Sequence, residues 1–221
     1  MSAPEKTLLE LLRSGDAAGA LARLAAFPHE AAARDAQGVS PLMWSLYVRA
    51  TEVTAAIRAR LPELDLFEAV AVGDEARAEA LLAAQPALVL ARSGDGFTAL
   101  HLAAFFARPA LARRLLAAGA DPAAVAANAM RVQPLHSAAA ARDLETCRVL
   151  LEAGAPPDAA QHQGWTTLMS AGRHGWDALA ELLLAHGASR EPKADDGRTA
   201  ADLAREAGHT ALAAKLSTGG A

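Results

Sequence analysis

The sequence predicts an all-α fold: a stacked solenoid of about seven units of paired short helices, capped at both ends. Three observations predict it. The segment Thr98-Ala99-Leu100-His101-Leu102-Ala103-Ala104 returns in degraded copies at Ser40, Gln133, Thr166 and Thr199. The steps from Thr98 through Gln133 and Thr166 to Thr199 are 35, 33 and 33 residues, and a period of this length marks a helical repeat array. Of 221 residues, 52% are hydrophobic but only 4% aromatic. The apolar content is therefore mostly Ala and Leu, which suit closely packed short helices rather than strands.

Each unit has one grammar. A Gly-containing turn opens it (Gly38-Val39, Gly96-Phe97, Gly164-Trp165, Gly197-Arg198). Ser or Thr follows, with a side-chain oxygen able to cap a helix. Pro41 and Pro134 come one residue later, where a helix tolerates a missing N–H. A short Ala/Leu helix and a small break follow. The second helix carries paired leucines (Leu115-Leu116, Leu150-Leu151, Leu182-Leu183) and ends at Gly119, Gly154 or Gly187, where glycine takes a left-handed cap at little steric cost.

This grammar resembles the ankyrin repeat over nearly the whole chain. Thr98–Ala104 followed by Leu115-Leu116-Ala117-Ala118-Gly119-Ala120-Asp121 is similar to the family consensus. The Ala- and Arg-rich composition is similar to bacterial members of the family and suits a GC-rich genome. The resemblance implies an ankyrin-repeat solenoid of helix-turn-helix units with β-hairpin-like fingers between them, a slightly curved stack whose inner helices and finger tips form a concave face. It also implies a structural role for His101 and His136, bridging neighbouring turns and units.

The repeat reading divides the chain, as one domain, into units of about 5–34, 35–61, 62–92, 93–122, 123–157, 158–190 and 191–216, with a tail at 217–221. An offset of 58 aligns residues 15–42 with 73–100, so units opening near Lys6 and Leu64 lack the Thr-Pro signature. Only the step from Ser40 to Leu64 is short, at 24 residues. Arg60–Asp65 leaves no room for a finger, which predicts a direct helix–helix connection and a gap in the finger row. Gly119–Gln133 is about two residues longer than the family norm and predicts an enlarged finger near Met130. Glu5–Ala26 and Asp196–Leu216 read as polar caps, which a solenoid needs to avoid end-to-end association. The tail Ser217–Ala221 reads as a frayed end.

The same sequence argues against several function classes. A net charge of −4 and a pI near 6.0 lack the basic stripe of a nucleic-acid binder. Arg108, Arg113 and Arg114 read as a solvated face. One cysteine, Cys147, excludes an intrachain disulfide; beside Leu150-Leu151 it reads as a small buried hydrophobe. The N-terminus does not read as a signal peptide, and no apolar run approaches the ~20 residues of a membrane span. These features predict a cytoplasmic protein, a monomer with no membrane association. The seven histidines show no zinc spacing, and no nucleophile–base pair or phosphate loop is present. The expectation is no catalytic, cofactor or metal residue, and no enzyme.

The scarce aromatics are the informative residues. In the architecture the resemblance implies, the finger-tip position and the two positions ending each inner helix give Val39, Tyr47 and Val48; then Ala71 and Val72; then Phe97, Phe105 and Phe106; then Val132, Ala140 and Ala141; then Trp165, Arg173 and His174; and last Arg198 and Glu206. Trp176 lies just beyond. Trp44, Phe67 and Phe27 fall at positions expected to be buried. Tyr47, Phe97, Phe105, Phe106, Trp165, Arg173, His174 and Trp176 are therefore the candidate partner-binding residues. An apolar patch of this kind rimmed by polar groups marks a binding surface, and aromatic anchors beside arginine make hot spots. The function expected is a non-enzymatic module holding a protein or peptide partner. The alternative is a regulator that binds a small molecule or metabolite in the aromatic concavity.

Overall fold

The computed structural model describes residues 6–217. Among them are fourteen α-helices: α1 (Leu8–Arg13), α2 (Ala17–Ala26), α3 (Pro41–Tyr47), α4 (Thr51–Arg58), α5 (Leu66–Val72), α6 (Glu75–Ala84), α7 (Ala99–Phe105), α8 (Pro109–Ala117), α9 (Pro134–Ala140), α10 (Leu144–Glu152), α11 (Thr167–Arg173), α12 (Asp177–Ala185), α13 (Ala200–Glu206) and α14 (Thr210–Ser217). Consecutive helices pair, and the pairs stack with odd-numbered helices as an inner row and even-numbered helices as an outer row. One buried leucine-rich core runs from Leu8 to Leu216. Among the described residues β-pairing is limited to isolated bridges, Arg92 with Thr98 and Ala160 with Thr166.

The inner helices begin where their caps dictate. Ser40, Thr98, Thr166 and Thr199 each accept the amide three residues on. Such a cap contributes about 1 kcal/mol. Thr7 and Asp65 do the same, each with a reciprocal glutamate, Glu10 and Glu68. This corrects the openings at Lys6 and Leu64 by one residue. Thr7 to Ser40 and Asp65 to Thr98 are then both 33 positions, and the short step, Ser40 to Asp65, is 25. Glu5 and residues 218–221 lie outside the described residues. Ser217 itself closes α14, its hydroxyl donating to the Ala213 carbonyl.

Finger tips are closed by one amide–carbonyl bond: Asp35 to Val39, Ser93 to Phe97, Gln161 to Trp165 and Ala194 to Arg198. In the enlarged finger the bond runs from Ala126 to Val132, two positions wider, as the sequence predicts. Neighbouring fingers are joined by the Ala127 amide to the Gly96 carbonyl at 2.9 Å and the Asp195 amide to the Gln163 carbonyl at 3.0 Å. No finger forms between α4 and α5, where the chain turns directly. The expected gap in the row does not open, however. Gly94 lies against Gln37 and Gly38 of the preceding finger, so closely that a Cβ on Gly94 would be 2.0 Å from the Gln37 carbonyl oxygen. The two fingers meet over α5 and leave a cavity of about 150 Å³ between them, lined by Gly38, Met43, Phe67 and Gly94.

Arg108 departs from the solvated reading. It is half-buried and donates to the Ala71 and Val72 carbonyls at 3.3 and 3.2 Å, at the C-terminal, negative end of α5 where a cation is favoured. Arg113 and Arg114 do lie on the outer surface, paired with Glu145 and with Glu75 and Glu79.

Candidate functional site: an aromatic concavity

Closure of the finger row brings the second helix pair against the fourth. Tyr47, at the end of α3, stacks on Phe106 with centroids 5.8 Å apart and planes at 15°. It meets Phe105 edge-on at 6.0 Å and Trp44 at 6.1 Å. The Tyr47 hydroxyl donates to Asp95 Oδ2 at 2.7 Å, and the Ser93 hydroxyl donates to Asp95 Oδ1 at 2.5 Å. Burial first, then the bond to Asp95, pushes the Tyr47 hydroxyl well above the ordinary tyrosine range. Trp44 donates its indole N–H to Asp35 Oδ2 at 2.9 Å, and Arg13 lies over its ring at 4.8 Å.

The Trp44, Tyr47 and Phe105 rings form one wall of a concavity of about 690 Å³. Trp44, Tyr47, Phe97 and Phe105 line it from the second and fourth helix pairs, and Met130, Arg142 and His174 from the next two. Phe105 is 43% exposed and Met130 57% exposed. A smaller depression of about 500 Å³ adjoins it, lined by Trp165, Arg173 and His162 and sharing Met130 and Gln161 with the first. There the Trp165 indole donates to Ser170 Oγ at 2.8 Å, and the Arg173 guanidinium sits 5.8 Å from the ring centroid.

The eight candidate residues therefore divide. Tyr47, Phe97, Phe105 and His174 share the large concavity, while Trp165 and Arg173 share the small one. Phe106 faces a groove on the other side of Tyr47, beside Val72 and Ala141. Trp176 is half-buried against the core under Arg142, at 5.4 Å. Ala71, assigned to the concave face, is fully buried, and α5 supplies no residue to either cavity lining. Trp44, expected in the interior, lines the site instead. Its spacing of three from Tyr47 places both on one helical face, a signal the sequence carried. Met130 was marked only as part of an enlarged finger.

The titratable groups beneath the site are structural. His101 Nδ1 is 2.8 Å from Thr98 Oγ1 and its Nε2 is 3.0 Å from the Val132 carbonyl of the next unit. His136 Nε2 makes the equivalent contact with Ala159 at 3.0 Å. Burial lowers the His101 pKa to about 4, against the favourable bond to Val132, and lowers that of His136. Cys147 is buried, and burial pushes its thiol up to about 12, which leaves no thiolate at neutral pH. Among the described residues, no group of three or more His, Cys, Asp and Glu side chains is placed to hold a metal ion.

The family described as "Ankyrin repeats (3 copies)" matches residues 66–161 and 135–220. The chain belongs to the ankyrin-repeat family. Ankyrin repeats are protein–protein interaction modules. The chain is similar to human neurogenic locus notch homolog protein 4, 45% identical over 93 residues, which is 42% of this chain and 4% of that protein. It is 36% identical over 124 residues to the tyrosine-protein kinase Shark of Drosophila melanogaster, covering 55% of this chain and 13% of Shark. It is 36% identical over 160 residues to the Drosophila melanogaster neurogenic locus Notch protein, covering 71% of this chain and 5% of Notch. The ankyrin-repeat chain thus spans only a small part of each relative. No described helix is long and apolar enough to cross a membrane.

Proposed function

We propose that this ankyrin-repeat protein is a non-enzymatic interaction module that holds a protein or peptide segment on its concave face. One continuous array of units spans 5–216 in this reading. The protein acts as a cytoplasmic monomer, bacterial in type, without nucleic acid, membrane or cofactor. The observation that carries the reading is the concavity of about 690 Å³ with a half-exposed phenylalanine, Phe105, on its wall. An exposed ring beside apolar neighbours gains most from a partner that removes it from water.

The test is affinity capture from the source cell, identification of the captured protein, and titration with purified variants. Phe105→Ala and Trp165→Ala should each weaken binding by about 2 kcal/mol. Unchanged affinity in the double variant, with an unchanged melting temperature, refutes the reading. A second reading is favoured by size: the concavity falls within the roughly 300–1,000 Å³ of small-molecule sites. A metabolite thermal-shift screen distinguishes it, since a small ligand raises the melting temperature without any protein partner.

A further inference from the structure

The charged side chains lining the two cavities are Arg142, Arg173 and Asp95, an excess of one positive charge. The chain as a whole is acidic, with a net charge of −4. Along the outer row its cations meet carboxylates: Arg113 meets Glu145, Arg114 meets Glu75, and Lys215 meets Asp177 and Glu181. Arg142 and Arg173 differ. Neither forms an ion pair among the described residues; their guanidinium groups rest over Trp176 and Trp165. Stacking of this kind holds the group in place while leaving its N–H edges free for a carboxylate.

The acids do not balance them. Asp95 is the one carboxylate among the side chains lining the two cavities, and both its oxygens already accept hydroxyls, from Tyr47 and Ser93. Aromatic rings beside a free carboxylate would suit a cationic guest. Here Asp95 keeps its charge but its oxygens are committed; Arg142 offsets that charge in the same cavity and Arg173 in the second leaves the balance positive, which favours an anionic guest.

We propose that the segment held on this face is acidic, with one apolar anchor. The anchor sits among Trp44, Phe97 and Phe105, and Asp or Glu side chains of the same segment lie on Arg142 and Arg173. The proposal rests on the concave-face reading above. The two cavities share Met130 and Gln161, so one segment passing Met130 reaches both. Complementary charge fixes register and speeds encounter, and the apolar anchor supplies most of the hold.

The probe is a phage-displayed library of random twelve-residue peptides, selected on the full chain and followed by titration of a synthetic enriched peptide. The expected peptides combine an aromatic residue or leucine with two or more Asp or Glu. Arg142→Glu with Arg173→Glu should weaken binding about tenfold or more, and replacing the peptide's acids by lysine should restore it on that variant. Added salt should weaken the original complex. Arg142→Gln with Arg173→Gln stands in if circular dichroism shows that the reversed variant does not fold. Peptides that are neutral or basic, yet lost in Phe105→Ala, overturn the charge proposal and leave the concave-face reading standing. Acidic peptides indifferent to Phe105→Ala and to the arginine variants overturn both. A library that yields no peptide overturns the proposal that a free segment is the ligand.

Discussion

The region from α3 to α9 and the region from α11 to α14 use the same repeat grammar to different ends. The C-terminal pairs follow a constant step: Thr166 to Thr199 is 33 positions. Their inner helices come so close that a Cβ on Gly172 would be 2.4 Å from the Ala200 carbonyl oxygen. Arg198 is satisfied locally there by Asp196 and Glu206, and Arg205 by Asp202, while Arg173 faces the small cavity. In the earlier region one step drops its finger but keeps its helix pair. The fingers on either side then meet, and Tyr47 touches Phe105, 58 positions away. Regular spacing makes a stack, and a single skipped finger makes a cavity wall.

The sharpest way to break this comparison is at the finger contact. Gly94→Ala places a methyl group against the Gln37 backbone, which cannot rotate aside as a side chain can. The expected loss is about 3 kcal/mol in urea denaturation. Asp195→Ala, at the matching position of the last finger, is exposed, already carries a Cβ and keeps its amide bond to Gln163, so it should stay within about 0.5 kcal/mol. Equal effects at the two sites would show that the skipped finger imposes no special packing.

Acid should separate the regions next. His101 has its pKa lowered to about 4 by burial, and His136 shifts the same way. The unfolded chain then binds more protons between the ordinary value of 6.5 and about 4, so their stabilising effect is complete above 6.5 and is lost as pH falls through this window. His101 alone should account for about 2 kcal/mol between pH 7 and pH 5. The last unit carries Asp202 at the same motif position, its pKa lowered to about 2 by the bonds from Thr199. Its contribution is present above the ordinary 3.8 and is lost below it. Hydrogen exchange at pH 5 should accordingly show α7 and α9 opening before α13; the reverse order would contradict this assignment.

A smaller effect concerns the bridge across the skip. Tyr47→Phe removes the hydroxyl donated to Asp95 but keeps the ring, and should cost about 1 kcal/mol. No change in denaturation midpoint would mean that ring packing alone joins α3 to α7. The smallest effect concerns the turns inside each pair. Arg49, Ala107 and Arg142 hold left-handed φ values of 56°, 52° and 58° where Gly175 and Gly208 serve the later pairs. Ala107→Gly relieves that strain and should stabilise by up to about 1 kcal/mol, while Gly208→Ala should cost a similar amount.

Much of the fold was readable because it is local. Ser40, Thr98, Thr166 and Thr199 cap helices through bonds three residues long, and Gly119, Gly154 and Gly187 end them at left-handed φ values of 96°, 87° and 86°. Thr7 and Asp65 are also readable, since a Thr or Asp followed three residues later by Glu is a capping box, although neither carries the Thr-Pro signature of the clearer units. The site was less readable. The place of Phe105 after the inner-helix motif points to the concave face, but the same rule puts Ala71 on that face and leaves out Trp44, and the fold reverses both.

What the sequence by itself determined is the repeat: its caps, its helix ends, its scaffold histidines, the skipped finger and the enlarged one. These depend on propensities and bonds acting within a few residues, so the order of residues suffices. Only the tertiary structure decided what the skip does. Whether a missing finger leaves a gap or lets its neighbours close depends on packing between segments about 58 positions apart, which no local pattern encodes. That closure withdrew α5 from the concave face and moved Trp44 onto it. It also set Tyr47, Asp95 and Phe105 around one cavity, with Met130 and Arg142 facing them.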